Sequence, residues 1–363
     1  MALSLGKKII FSIISTVSLL VVAEVGARAI VGPIAQDVYV YSYVGDRKDW
    51  LMETGYLVRP TYKHQPQSFP KERSKPRLAF LGGSTVHGGS PTVGLEGEFP
   101  ALVGRELGME AWNLARPSID SHDVLRIVQE LKEYPFDAWV IYTGHNDFGN
   151  TYFFSRFQNW GARQQVGMQS VLQNMQLYRA LSKVNKQYGN GRKKGLGMSD
   201  FRGAMVSAEQ KETARGLLLQ NVRRMIWEAR SVGIPVLFVV PTASWIRSPL
   251  GGCSKGEVCS QDTHRSGMQL LRKGNSEARS VLAQACTEDS IPLRILPQAQ
   301  DDLRALFIEE GVPYVDAHVE LSRHRGIDLP NENLFFDHVH LSKKGHQELA
   351  TLITNKLKEE LEK

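Results

Sequence analysis

Apolar and polar positions along this chain follow two periods. Short apolar runs closed by glycine or a polar turn predict buried strands. They are "RLAFLG" from Arg77, "MEAWNLA" from Met109, "DAWVIYTG" from Asp137, "PVLFVVPT" from Pro235 and "VPYVDA" from Val312. Between them, apolar residues recur at helical spacing. "FPALVGREL" follows the first strand. "SHDVLRIVQELKEY", with Ser121 as its cap, puts Val124, Ile127, Val128 and Leu131 on one stripe. A long helix runs through "AEQKETARGLLLQNVRRMIWEARSVG", another lies near Arg272 to Thr287, and "HLSKKGHQELATLITNKLKEELEK" ends the chain as an amphipathic helix. Such alternation predicts an α/β fold with a parallel sheet covered on both faces. Ligands bind such sheets at the carboxyl ends of the strands, and Ser84, Ser118, Gly144 and Thr242 each follow a strand.

The regular pattern is interrupted in three places. At the start, Lys7 and Lys8 precede fifteen uncharged residues, Ile9 to Ala23. A positive flank before an apolar run fits a secretory signal peptide. If the helix continues through "EVGARAIVG", Glu24 and Arg28 pair at i,i+4, and residues 1–33 form an uncleaved signal-anchor or transmembrane helix. The anchor is the reading adopted here. It holds the chain in the inner membrane and exports the rest to a periplasmic or extracellular location. Secretion after cleavage, at the small-x-small pattern around Arg28, is the alternative. Residues 34–74, with Pro60, Pro66 and Pro70, read as a stalk packed on the main domain, 75–363. Within that domain, 148–207 is too long for a plain loop, and the reading is a lid or wall beside the site.

Composition changes this picture little. With 363 residues, 42% hydrophobic and 23% charged, the chain is a folded protein with a sizeable core. A formal net charge of +6 is mildly basic, and part of it sits in "GRKKG" at Gly191. Such a patch can touch nucleic acid or anionic lipid, but no aromatic residues interleave with the charges, so a solvated loop is the favoured reading and no nucleic-acid partner is expected. Of the three cysteines, Cys253 and Cys259 flank "SKGEV" and can close a small disulfide loop in an oxidising compartment. Cys286 reads as an apolar filler in a helix. No spacing fits a metal site.

Candidate chemistry begins at "LGGSTVHGG". Ser84 follows a strand and the Gly82–Gly83 turn, so it is either a helix cap or a nucleophile. The lipase elbow Gly-x-Ser-x-Gly is not met, since Val86 stands two residues on. A nucleophile needs a base, and "FFDHVHLSKKGH" offers Asp337 three residues before His340. In a turn, that carboxylate fixes the imidazole tautomer and supports its charged form. His338 between them points elsewhere in this reading. "YTGHNDFGN" puts the Asn146 amide just after Gly144 at a strand end, and "NLARPSIDS" puts the Ser118 N–H after another. Both are donors of the kind an oxyanion requires. His87 and Asp316 read as hydrogen-bonded structural residues.

The ordered set of these four blocks resembles the SGNH hydrolases, the GDSL-type esterase/lipase superfamily, from about Arg77 to Leu357. The four are the serine turn at Gly83 and Ser84, the polar turn at Ser118, Gly-x-Asn-Asp from Gly144, and Asp-x-x-His from Asp337. The "GHND" block and the N-terminal layout look like those of membrane-tethered bacterial members. The resemblance implies a flavodoxin-like, three-layer α/β/α sandwich and no metal or organic cofactor. It implies Ser84 as nucleophile, His340 as base and then acid, and Asp337 as its orienting partner. The oxyanion hole would be the N–H groups of Ser84 and Ser118 and the Asn146 side chain. The family's aspartate before the serine is Gly83 here, and the glycine of its second block is Ser118, whose side chain bears on the backbone angle of that turn. The implied partner is an acyl-ester substrate, such as an O-acetyl or other acyl ester of a glycan or lipid. Two readings stand beside the esterase on the same fold: an O-acyltransferase on a cell-envelope glycan, and a non-catalytic glycan-binding protein. A nucleotide-binding domain is disfavoured, because "GGSTVHGG" lacks the dinucleotide fingerprint and Gly89 stands where a P-loop needs lysine.

Overall fold

The computed structural model describes residues 5–31, 57–60, 66–69, 74–88, 93–132, 134, 136–154, 177, 206–251, 259–322, 329 and 331–362. The chain divides into two compact units, 1–45 with 157–197 and 46–156 with 198–363.

In the first unit, α1 (Leu5–Val31) is one helix. It continues through "EVGARAIV" as expected, with Arg28 Nε donating to Glu24 Oε1 at 2.8 Å. Its expected role as a membrane helix is not retained. Among the described residues, no helix is long and apolar enough to cross a membrane. Ser12, Ser15, Thr16 and Ser18 break the apolar run with hydroxyls, and the Glu24–Arg28 pair charges its C-terminal half. Apart from residues 148–154 and the ends noted above, the proposed lid lies outside the described residues. So does most of the proposed stalk, of which one antiparallel hairpin is described, β1 (Leu57–Pro60) with β2 (Pro66–Phe69).

The second unit carries the parallel sheet. Its strands are β3 (Arg77–Gly82), β4 (Glu110–Asn113), β5 (Ala138–Tyr142), β6 (Val236–Val240) and β7 (Tyr314–Asp316), in the order β4-β3-β5-β6-β7. All four pairings are parallel. The order is the 2-1-3-4-5 arrangement of flavodoxin-like sheets, in which the chain reverses direction between β3 and β5 and opens a crevice there. β3, β5 and β6 are buried along their whole length, as strands covered on both faces must be.

One face of the sheet packs on α3 (Phe99–Leu107) and α11 (Lys343–Leu361). Leu78, Phe80, Val140, Leu237 and Val239 join Phe99, Val103, Leu349 and Ile353 in one core. On the other face, Phe238 stacks on Phe307 of α9 (Pro297–Glu310) at 4.9 Å. There α4 (Ser121–Leu131) packs on α6 (Ala208–Ser231). The apolar stripe of α4 is buried as expected. Its cap is not Ser121, however. Asp120 accepts from the N–H groups of His122 at 3.1 Å and Asp123 at 3.4 Å. The helix expected near 272–287 is α8 (Ala278–Glu288), and α7 (Ser260–Arg272) precedes it where no helix was expected. Gly274, at φ +68°, breaks them apart.

Candidate active site

β3 ends on Gly82, where φ is +156° and an added Cβ would lie 2.0 Å from the Tyr142 carbonyl. Only glycine lets the two central strands approach this closely as the chain leaves the sheet. It then turns into α2 (Ser84–His87), a single helical turn closed by Gly88 in the left-handed region. Gly83 is the N-cap and Ser84 the first helical residue, so the Ser84 N–H has no acceptor within the helix. The Ser84 side chain does not cap the helix.

Before α11, residues 335–341 fold back on themselves through a bridge between Phe335 and Leu341. The Phe336 N–H donates to the His340 carbonyl at 2.8 Å. In the loop so formed, Asp337 Oδ1 accepts from the N–H groups of Val339 at 3.0 Å and His340 at 2.8 Å. Its other oxygen, Oδ2, faces His340 Nδ1 at 2.6 Å, and His340 Nε2 faces Ser84 Oγ at 2.7 Å. The carboxylate accepts a hydrogen bond from Nδ1–H and so keeps the proton on that nitrogen, which leaves Nε2 as acceptor for the Ser84 hydroxyl. Burial raises the Asp337 pKa, but the ring and main-chain hydrogen bonds and the His340 charge outweigh it and hold it well below the carboxylate range. The base is thus held by an anion.

β5 delivers the third group. Gly144 stands at φ +134°, and an added Cβ would press on Ile295 at 3.0 Å. The next residues, expected as a turn at a strand end, form the first turn of α5 (His145–Phe154). The Asn146 amide donates to the Ile119 carbonyl at 2.8 Å and lies 3.1 Å from where a Cβ on Gly83 would stand. Its second amide hydrogen is left for another acceptor. Gly83, Ser84, Ile119, Gly144 and Asn146 line one pocket. Ser118 takes φ +64°, the conformation a glycine adopts freely, and is the only non-glycine to do so among the described residues. Among these residues, its N–H meets no acceptor.

The remaining expectations fall into place around this pocket. His338 turns away and its Nε2 donates to the Ser248 carbonyl at 3.1 Å. Asp316 binds Arg304 and caps α10 (Ala317–Glu320) through the Val319 N–H at 3.0 Å, a structural role. His87 is buried, as a structural residue would be. Cys259 is disulfide-bonded and Cys286 is free and buried, while Cys253 lies outside the described residues. Among the described residues, no cluster of histidine, cysteine or acidic side chains could hold a metal.

Several neighbours were not singled out from the sequence. His145 is buried with Nδ1 accepting from the Ile295 N–H at 3.2 Å and Nε2 donating to the Tyr142 hydroxyl at 3.1 Å. Burial, then the charge of His340, lowers its pKa to about 3, so it is neutral and is no rival base. Asp147 accepts from the Ser121 N–H at 3.2 Å and from the Ser121 hydroxyl. Burial and nearby Asp120 raise its pKa to about 7. Arg294, fully buried, donates to the carbonyls of Ser244 at 2.5 Å and Arg247 at 3.1 Å, fixing the loop against which His338 rests. The signal for Asp147, and for Asn150, which donates to the Ser118 carbonyl at 3.0 Å, was their place with Asn146 on one helical turn, hidden while "HND" read as a strand-end turn.

Among solved structures, the chain is similar to a GDSL-like lipase from Bacteroides thetaiotaomicron. Identity is 12% over 78% of this chain and 88% of that one, with a TM-score of 0.37. It is also similar to Axe2, an acetylxylan esterase from Geobacillus stearothermophilus, at 15% identity over 77% of this chain and 93% of that one, with a TM-score of 0.36. No family model matches the chain, and no curated protein matches it.

Proposed function

We propose that this chain is a serine ester hydrolase of the SGNH type. One observation carries the reading: the continuous hydrogen-bonded line Asp337–His340–Ser84, closed by a 2.7 Å contact between residues 256 positions apart. A structural cap would not need an imidazole with its free nitrogen on the hydroxyl, or an aspartate behind it.

The reaction follows from that geometry. Ser84 Oγ attacks the acyl carbonyl as His340 Nε2 takes its proton, and Asp337 stabilises the imidazolium. The carbonyl π pair moves onto oxygen. The resulting oxyanion meets the N–H groups of Ser84 and Ser118 and the second Asn146 amide hydrogen. Collapse breaks the ester C–O bond, and the alcohol leaves with the proton from His340. Water then attacks the acyl-enzyme with His340 again as base, releasing the acid and restoring Ser84. A glycan hydroxyl in place of water would make the same site an O-acyltransferase. Disulfide-bonded Cys259 supports export to an oxidising compartment.

The test is hydrolysis of p-nitrophenyl acetate and longer acyl esters by the wild type beside Ser84→Ala. Turnover that vanishes in the variant is the expected result. A folded wild type that releases no nitrophenol, with or without a sugar acceptor, would sink the reading.

A further inference from the structure

Helix α5 grips the loop after β4 at three points. Asn146 Nδ2 donates to the Ile119 carbonyl at 2.8 Å, and Asp147 accepts from the Ser121 N–H at 3.2 Å. Asn150 Nδ2 donates to the Ser118 carbonyl and to Asp120 Oδ2, both at 3.0 Å. Residues 146, 147 and 150 share one face of the helix. The loop is also tied upstream, where the Arg116 N–H donates to the Gly82 carbonyl at 3.0 Å.

Between the two ties lie Pro117 and Ser118. The proline ring fixes its own φ. The peptide carrying the Ser118 N–H then turns about two torsions, ψ of Pro117 and φ of Ser118, and the second is the strained one. At +64° it sits where a residue with a Cβ is disfavoured, so local preference alone would let it relax to negative φ. The tie on the far side of that torsion is the Asn150 amide.

We propose that Asn150 is a positioning residue that locks Ser118 in the left-handed conformation and so aims the Ser118 N–H into the site. The inference rests on the ester-hydrolase reading for its effect on rate. Asn150 touches no reacting atom. A glycine at position 118 would enter the same conformation without steric penalty and so would depend less on the lock, and that difference makes the idea testable.

The experiment compares Asn150→Ala in two backgrounds of the full chain, wild type and Ser118→Gly, with p-nitrophenyl acetate. In the wild-type background kcat falls by about 10- to 100-fold, short of the full loss of an oxyanion donor, while KM stays within about threefold. In the Ser118→Gly background the same substitution costs less than about threefold. Asn150→Asp keeps the shape, replaces both donors with acceptors and repels Asp120, so it loses at least as much as Asn150→Ala. A plain loss of stability would lower both backgrounds alike, and equal losses in the two overturn the inference. So does an unchanged kcat for Asn150→Ala. The conformation is read separately from a crystal structure of Asn150→Ala, where Ser118 should return to negative φ. A retained positive φ overturns the inference whatever the kinetics. Failure of the ester-hydrolase reading looks different: wild-type turnover is then absent, or it survives Ser84→Ala.

Discussion

Replacing Asp337 by asparagine changes one group and no shape, yet it should disable the base. The reason lies in which oxygen does what. Asp337 Oδ1 serves two main-chain donors, the N–H groups of Val339 and His340, while Oδ2 serves His340 Nδ1. Asparagine has one acceptor and one donor end. With its oxygen left on the two main-chain N–H groups, its NH2 faces Nδ1. That nitrogen must then be the acceptor, the ring proton moves to Nε2, and Ser84 Oγ has no lone pair to give its proton to. The flipped amide would restore the correct tautomer but leave two N–H donors against an NH2. Each orphaned donor costs about 1–3 kcal/mol. The competent state is therefore disfavoured by roughly 2–6 kcal/mol, or about 30-fold to 10⁴-fold in kcat. Stability should barely change, because both main-chain bonds survive in the favoured orientation. The assay is kcat and KM with p-nitrophenyl acetate, beside a thermal melt of wild type and Asp337→Asn. A folded variant that keeps more than a tenth of the wild-type kcat would refute the tautomer argument and the role given to Asp337.

Two further outcomes are expected. Asp147 keeps its proton to about pH 7 in the folded chain against an ordinary value of 3.8, so between these values the folded state holds more protons and its stability falls as pH rises. Asp147→Asn removes that slope, and denaturant melts should show the variant gaining on the wild type by on the order of a few kcal/mol from pH 4 to pH 7. Asp123, also raised, to about 8, keeps its own slope in both proteins; parallel pH curves would refute the Asp147 assignment. Arg294→Met takes the counter-charge, 3.7 Å away, from the buried Asp289 carboxylate, which keeps its main-chain donors from Leu250, Gly251 and Ile291, and strands the carbonyls of Ser244, Arg247 and Ser248. Breaking one side of such a buried pair costs about 3–5 kcal/mol, so the melting temperature should drop by roughly 6 °C or more. A drop under about 2 °C would mean that the loop does not depend on the arginine.

Much of the frame was legible because it is local. The runs ending at Gly82 and Gly144 read as buried strands from their apolar density, and the stripe on α4 read from its spacing alone. Asp337 and His340 were legible as a pair because an i,i+3 contact needs only a turn. What joins them to Ser84 is the packing of α11 on α3, where the Phe99 N–H donates to His346 Nδ1 at 3.1 Å, and the Thr85 hydroxyl, which donates to the Val339 carbonyl at 3.4 Å. α9 went unread, although Pro297 at its start, Gly311 at its end and the buried positions Ala299, Leu303, Leu306 and Phe307 carry a helical signature. The charges in "QDDLRALFIEE" diluted the apolar signal, while the positions that decide burial are few and face Phe238. The helix read near 272–287 starts only at Ala278, beyond Gly274, whose positive φ no pattern of hydrophobicity reports, and α7 before it went unread.

The site's support was harder to read, for a physical reason. Ser121 has the sequence signature of a cap, but its hydroxyl is drawn to Asp147 and Asn221, and Asp120 takes over the helix end. A short polar side chain bonds whatever the tertiary structure sets beside it: the hydroxyl donates to Asp147 and accepts from the Asn221 amide, which takes the place a helix N–H would have had. Ser118 follows the same logic in reverse. Its own preference argues against the left-handed turn, and groups on α5, 28 to 32 positions further along the chain, supply the counterweight. Where local preference and tertiary bonding agree, as at Gly82, sequence suffices. Where they oppose, as at Ser118, the opposition itself marks a backbone held for a purpose, and the residues that hold it are second candidates for function after the triad.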